Sequence, residues 1–173
     1  LWLHGASVGE LTAARPLVEA LLARRGDLAL RLTCNTVTGR DMARSWGLAR
    51  VTADLAPLDY RPCLAAFLRR ARPDALAVVE NELWPNRLAM AHARGLPVAL
   101  VGARLSARSA RRWARLAGLL RPLLARVALV APQDAASADR LAALGVPGPA
   151  LTAPVALKSA VALPAPAPEA LAA

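Results

Sequence analysis

The sequence predicts an α/β fold: a Rossmann-like open, mainly parallel sheet flanked by helices. Three observations predict it. Short apolar runs that include β-branched residues alternate with longer segments of helical apolar periodicity, the pattern of consecutive βα units. Gly26, Gly47, Gly95 and Gly145 each follow a helix candidate, where glycine tolerates the left-handed geometry that ends a helix. Polar segments fall at the carboxyl ends of the strand candidates, the edge where sheets of this kind bind ligands.

The elements follow in order. Leu1 to His4 is the first strand candidate, followed by a small-residue loop and a helix from Glu10 to Arg25 with apolar residues at Leu11, Ala14, Val18 and Leu21. Leu28 to Thr33 and Arg50 to Ala53 are the next strands, separated by a helix from Thr38 to Trp46 and followed by one from Arg61 to Arg72. Ala75 to Glu80 leads through a polar turn to a helix over Pro85 to Arg94, whose proline suits the first helical position. Pro97 to Val101 precedes a helix from Ala107 to Arg121, and Val127 to Val130 precedes the last one, Ala135 to Leu144. Right-handed crossovers leave few arrangements for such a string besides the open sheet.

The chain of 173 residues is long enough for one buried core, and the reading is one domain over residues 1–160 with a Pro/Ala-rich linker over 161–173. It begins inside a strand candidate and ends in that linker, so it reads as a piece of a longer protein. The formal net charge is +10, and all but one of the 22 basic residues are Arg, Lys158 being the exception. Arginine saturation beside heavy Ala and Leu usage is also what a GC-rich coding sequence produces, so charge alone selects no partner. Cys34 and Cys63 lie in a strand pattern and a helix pattern without metal-ligand spacing, and read as free thiols. With only His4 and His92 present, no metal site is expected. No run of about 20 uninterrupted apolar residues is present to span a bilayer.

Four segments can carry chemistry. In His4-Gly-Ala-Ser-Val-Gly-Glu10 a small-residue loop enters a helix, bringing backbone N–H groups toward a ligand, while Glu10 stands either as a base or as the partner of Ser7 in a capping box. Thr33, Asn35, Thr36, Thr38 and Gly39 make a hydroxyl-rich turn able to bind sugar hydroxyls or phosphate. Glu80 and Glu82, two positions apart, would share one side of an extended segment, with Trp84-Pro85 stiffening the turn. Arg104, Arg108, Arg112 and Arg115 recur at helical spacing opposite Trp113, Leu116, Leu120 and Leu123, a basic amphipathic face that is either simply solvated or a contact for anionic headgroups. No aromatic platform accompanies these arginines, which argues against nucleic acid. Lys158 offers a single ammonium after the last helix.

Together, His4 to Glu10, Thr36-Val-Thr-Gly39, Pro57-Leu-Asp59, Val79-Glu-Asn-Glu-Leu-Trp-Pro-Asn86, Ala103-Arg-Leu-Ser106, Gln133 and Leu157-Lys158 resemble the 3-deoxy-D-manno-octulosonic acid (Kdo) transferases of lipopolysaccharide synthesis. The resemblance implies the N-terminal, acceptor-binding half of a two-domain GT-B glycosyltransferase whose CMP-binding C-terminal domain is not part of this chain. It also implies inverting, metal-independent transfer of Kdo from CMP-Kdo to a lipid A precursor at the cytoplasmic face of the inner membrane, with no cofactor. On this resemblance Glu10 is the base, and Glu80 and Lys158 stabilise the transition state. Ser7, Gly9, Thr36, Thr38, Glu82, Asn86, Arg104 and Ser106 are then substrate-binding positions. Gly102 and Val155-Ala156 depart from the family pattern, which has Asn and Gly-Asn there. The competing readings are another GT-B enzyme, such as a UDP-sugar-dependent lipid A disaccharide synthase or a nucleotide-sugar epimerase, and a non-catalytic lipid- or phosphate-binding module.

Overall fold

The computed structural model describes residues 1–80, 82–155 and 157. Six strands, β1 (Trp2–His4), β2 (Leu30–Cys34), β3 (Val51–Leu55), β4 (Leu76–Val79), β5 (Val98–Ala103) and β6 (Leu129–Pro132), form one parallel sheet in the order β3-β2-β1-β4-β5-β6. The expected α/β, Rossmann-like sheet is therefore present. The order reverses at β1, which pairs with β2 on one side and β4 on the other, so the loops after these three strands border the crevice where such folds bind ligands.

The helices are α1 (Val8–Arg24), α2 (Val37–Ser45), α3 (Arg61–Ala71), α4 (Pro85–Ala93), α5 (Ala107–Ala114), α6 (Ala117–Leu124) and α7 (Ala135–Ala143). Alternation along β1 splits the core: Leu3 faces α1 and α2 through Leu11, Ala14, Val18 and Ala43, while Trp2 faces the other layer. That second layer packs Leu64 and Phe67 of α3, Leu88 of α4, Leu120 and Leu124 of α6 and Leu141 of α7 against Leu76, Val78, Val98 and Leu100. β1 and β4 are buried throughout, as central parallel strands covered on both faces must be.

The predicted helix over Ala107 to Arg121 is two helices. Leu116 leaves the helical region at φ −110°, ψ 24°, and the chain turns before α6. The reason is packing: α5 buries no side chain, whereas α6 buries Leu120 and Leu124 completely, and one straight helix cannot keep the first segment in water and the second against α4. The basic stripe is accordingly broken, with Arg108, Arg111 and Arg112 on α5 and Arg104 in the preceding loop. Lys158 and the 161–173 stretch lie outside the described residues.

Candidate active site

The end of β1 and the start of α1 supply the first wall. Ser7 caps α1, its Oγ accepting the Glu10 N–H at 3.2 Å. Glu10 turns back over the same loop: Oε2 accepts the Ala6 N–H at 2.7 Å and Oε1 accepts from the Ser7 hydroxyl at 3.4 Å. This is a capping box displaced by one residue, since the carboxylate takes the N–H before the cap rather than that of the cap itself. Glu10 is half-buried, and burial raises its pKa; the nearby Glu80 and Glu82 carboxylates push it the same way, against the Ala6 and Ser7 hydrogen bonds. The residue thus closes the loop and also belongs to a cluster of three carboxylates.

Glu80 and Glu82 come together by a route other than the one their spacing suggests. Glu80 is not extended but left-handed, with φ +56°, an uncommon conformation for a residue with a side chain. Its N–H still pairs with the Val101 carbonyl at 2.9 Å, so the turn is anchored on β5 while both carboxylates act on Glu10.

Two donors hold Glu82 at Oε2, the Trp84 indole N–H at 2.5 Å and the Asn35 amide at 3.4 Å, and His4 Nε2 lies 3.5 Å from the same oxygen without a hydrogen-bond partner among the described residues. The His4 contact leads in pulling its pKa down to about 2, with Trp84 and Asn35 adding to it. His4 itself is completely buried, its Nδ1 3.0 Å from Thr33 Oγ1, which also accepts the Trp2 indole N–H at 2.8 Å. Desolvation lowers the His4 pKa, and the Arg87 cation does so too. Arg87 is 2% exposed and lies 5.6 Å from the Trp2 ring centroid. Burial brings it down to about 10, with Asp59 and Glu82 opposing.

The remaining predicted positions divide by distance from this cluster. Thr36 caps α2, its Oγ1 accepting the Gly39 N–H at 3.1 Å, and Thr38 and Gly9 are exposed in the first turns of their helices. Gly39 is required because a Cβ there would lie 2.2 Å from Cys34 Sγ. Asn86 is engaged with Asp59: its N–H donates to Oδ2 at 3.1 Å and its amide to the Asp59 carbonyl at 2.9 Å. Ser106 caps α5, accepting the Ser109 N–H at 3.1 Å, and Arg104 is exposed beside it. A cavity of 300 Å³ lies between the β4–α4 turn and α5, lined by Glu82, Leu83, Trp84, Pro85, Leu105, Ser109, Arg112 and Trp113. It joins the carboxylate cluster to the basic helix. Among the described residues, no ion pair engages Arg108, Arg111 or Arg112, and no group of three or more His, Cys, Asp or Glu could hold a metal ion.

The model of the 3-deoxy-D-manno-octulosonic-acid transferase family matches residues 1–161. The chain belongs to that family. It is 41% identical over 169 residues to a 3-deoxy-D-manno-octulosonic acid transferase of Bordetella pertussis, covering 95% of this chain and 39% of that protein. It is 35% identical over 147 residues to the Haemophilus influenzae transferase, covering 85% and 34% respectively. The chain therefore spans little more than a third of the Kdo transferases it matches. In shape it is similar to the UDP-GlcNAc 2-epimerase of Neisseria meningitidis, with TM-score 0.62 and 13% identity over 88% of this chain and 45% of that one, a likeness of fold alone.

One residue of this Kdo transferase family member, Arg87, escaped sequence reasoning, as did the contacts that His4 and Trp84 make. Arg87 could have been found as a charge on the buried face of α4, between Trp84 and Leu88. The contact of His4 with Thr33 follows from the β1–β2 register, which pairs these two residues directly. Trp84 read only as a stiffener of the turn, and no sequence signal announced its bond to Glu82.

Proposed function

We propose that this chain is the acceptor-side half of an inverting, metal-independent GT-B glycosyltransferase that moves Kdo from CMP-Kdo to a lipid A precursor. The linker over 161–173 would lead to a C-terminal domain that binds CMP. The observation that carries the reading is the convergence of Glu10, Glu80 and Glu82 at the β1/β4 reversal point in a chain of this family. Glu10 takes the proton of the acceptor hydroxyl as its oxygen attacks the anomeric carbon of Kdo; the bond to the CMP phosphate breaks and CMP leaves. A carboxylate with a raised pKa suits that role, because it holds the abstracted proton more firmly than an exposed glutamate does. Glu80 would face positive charge developing on the sugar, and Lys158 the negative charge on the departing phosphate.

The acceptor is phosphorylated and lipid-anchored, which fits the arginines of α5, engaged in no ion pair among the described residues, beside the 300 Å³ cavity. Ser7, Gly9, Thr36, Thr38, Glu82, Asn86, Arg104 and Ser106 would contact substrate around it. Such an enzyme works at the cytoplasmic face of the inner membrane, and the exposed arginines of α5 would meet its anionic headgroups.

The test is Kdo transfer by the full-length protein with CMP-Kdo and a tetraacylated lipid A precursor. Glu10→Gln should lower kcat at least 100-fold while leaving acceptor binding intact. The hydrogen bonds of Glu10 to Ala6 and Ser7 favour a second reading, a lipid- or phosphate-binding module in which Glu10 only caps α1. Transfer retained by Glu10→Gln would select the cap role, and transfer from UDP-sugars instead of CMP-Kdo would select another GT-B enzyme.

A further inference from the structure

We propose that His4 is a positioning residue: neutral, with its proton on Nε2, it fixes the Glu82 carboxylate at the mouth of the cavity so that Oε1 is presented to a hydroxyl of the acceptor sugar. The assignment follows from a chain of donors. An indole N–H can only donate, so Thr33 Oγ1 accepts from Trp2 at 2.8 Å. The Thr33 hydroxyl keeps its own proton, which it can donate to His4 Nδ1 at 3.0 Å. With that bond the imidazole proton sits on Nε2, whose nearest acceptor among the described residues is Glu82 Oε2 at 3.5 Å. The opposite tautomer would set a nitrogen lone pair against a carboxylate oxygen in a buried place. Imidazolium is disfavoured by complete burial and by the Arg87 cation on α4.

The Trp84 and Asn35 donors and the more distant His4 Nε2 all lie on the Oε2 side of the carboxylate. Among the described residues no donor addresses Oε1, and a carboxylate oxygen without a donor can accept from an O–H. Glu82 lines the 300 Å³ cavity beside Trp84, whose exposed ring is oriented by the same bond. Glu10 and Glu80 are the other charged groups facing this carboxylate cluster, with Arg87 behind it.

The first measurement is the histidine tautomer in this chain by long-range ¹H–¹⁵N correlation at pH 7, with His4→Gln assigning the two histidines. A neutral Nε2–H ring at His4 is expected; an Nδ1–H ring or imidazolium overturns the proposal. The second measurement rests on the transferase reading and uses the full-length enzyme. Gln places an amide N–H near the position of Nε2 and Asn near that of Nδ1. His4→Asn should therefore raise KM for the acceptor about tenfold or more without changing KM for CMP-Kdo, and His4→Gln should recover most of the loss. Equal losses in the two variants, at equal melting temperature, overturn the positioning role. Absence of transfer by the wild type would reject the transferase reading instead, and the tautomer measurement would still decide this proposal.

Discussion

The carboxylates of the cleft respond to pH in opposite senses. Glu82, held down first by the His4 contact and also by Trp84 and Asn35, stabilises the fold above the ordinary glutamate range; that contribution is lost as pH falls toward about 2. His4 adds a loss in the same direction at higher pH, because burial keeps it neutral while the unfolded chain takes up a proton below about 6.5. Glu10 runs the other way: its folded pKa is raised, so its contribution grows as acid protonates it. Glu82→Gln should accordingly flatten the decline of the urea midpoint between pH 4.5 and 2, measured against wild type. An unchanged decline would mean that Glu82 is not held by these donors.

At the scale of elements, the turn that carries Glu80, Glu82 and Trp84 is anchored from outside itself. Asp59, in the loop before α3, accepts the Asn86 N–H at 3.1 Å and the Arg87 N–H at 2.7 Å, capping a helix whose own first residues offer no capping side chain. Asp59→Ala should lower stability by about 1–2 kcal/mol, the usual loss for an N-cap, as read from denaturant unfolding. It should also raise KM for the acceptor, because α4 and the turn before it would loosen together. Six strands and their order of appearance were legible in the sequence because buried parallel strands and amphipathic helices have different periods. The break at Leu116 was not, since Arg115-Leu116-Ala117 contains neither proline nor glycine and only the burial of Leu120 and Leu124 demands it. The carboxylate pair at 80 and 82 was recognised on the premise of an extended segment, and the left-handed turn at Glu80 replaces that premise. Arg87 and the His4–Thr33–Trp2 chain depend on which strands become neighbours, information that no local window holds.

The whole molecule combines an acidic cleft with a strongly basic exterior, at a net charge of +10. The two are adjacent, because the cavity that Glu82 lines has Arg112 in its opposite wall. Vesicles carrying phosphorylated lipid A precursor should bind the protein in a salt-sensitive manner. Replacing Arg108, Arg112 and Arg115 with Gln should weaken that binding about tenfold or more and flatten its salt dependence in a vesicle co-sedimentation assay. Binding unchanged by the triple replacement would assign these arginines to solvent and place the acceptor elsewhere.

Glu80 joins these scales. In the left-handed region a side chain crowds its own backbone by about 1–2 kcal/mol, which glycine avoids. A sequence shaped for durability alone would put glycine at the end of β4, and the domain instead keeps an acid in a posture its backbone resists. Directed evolution for heat resistance would therefore be drawn to this position and would lose the acid there, so thermal endurance and turnover should be screened together.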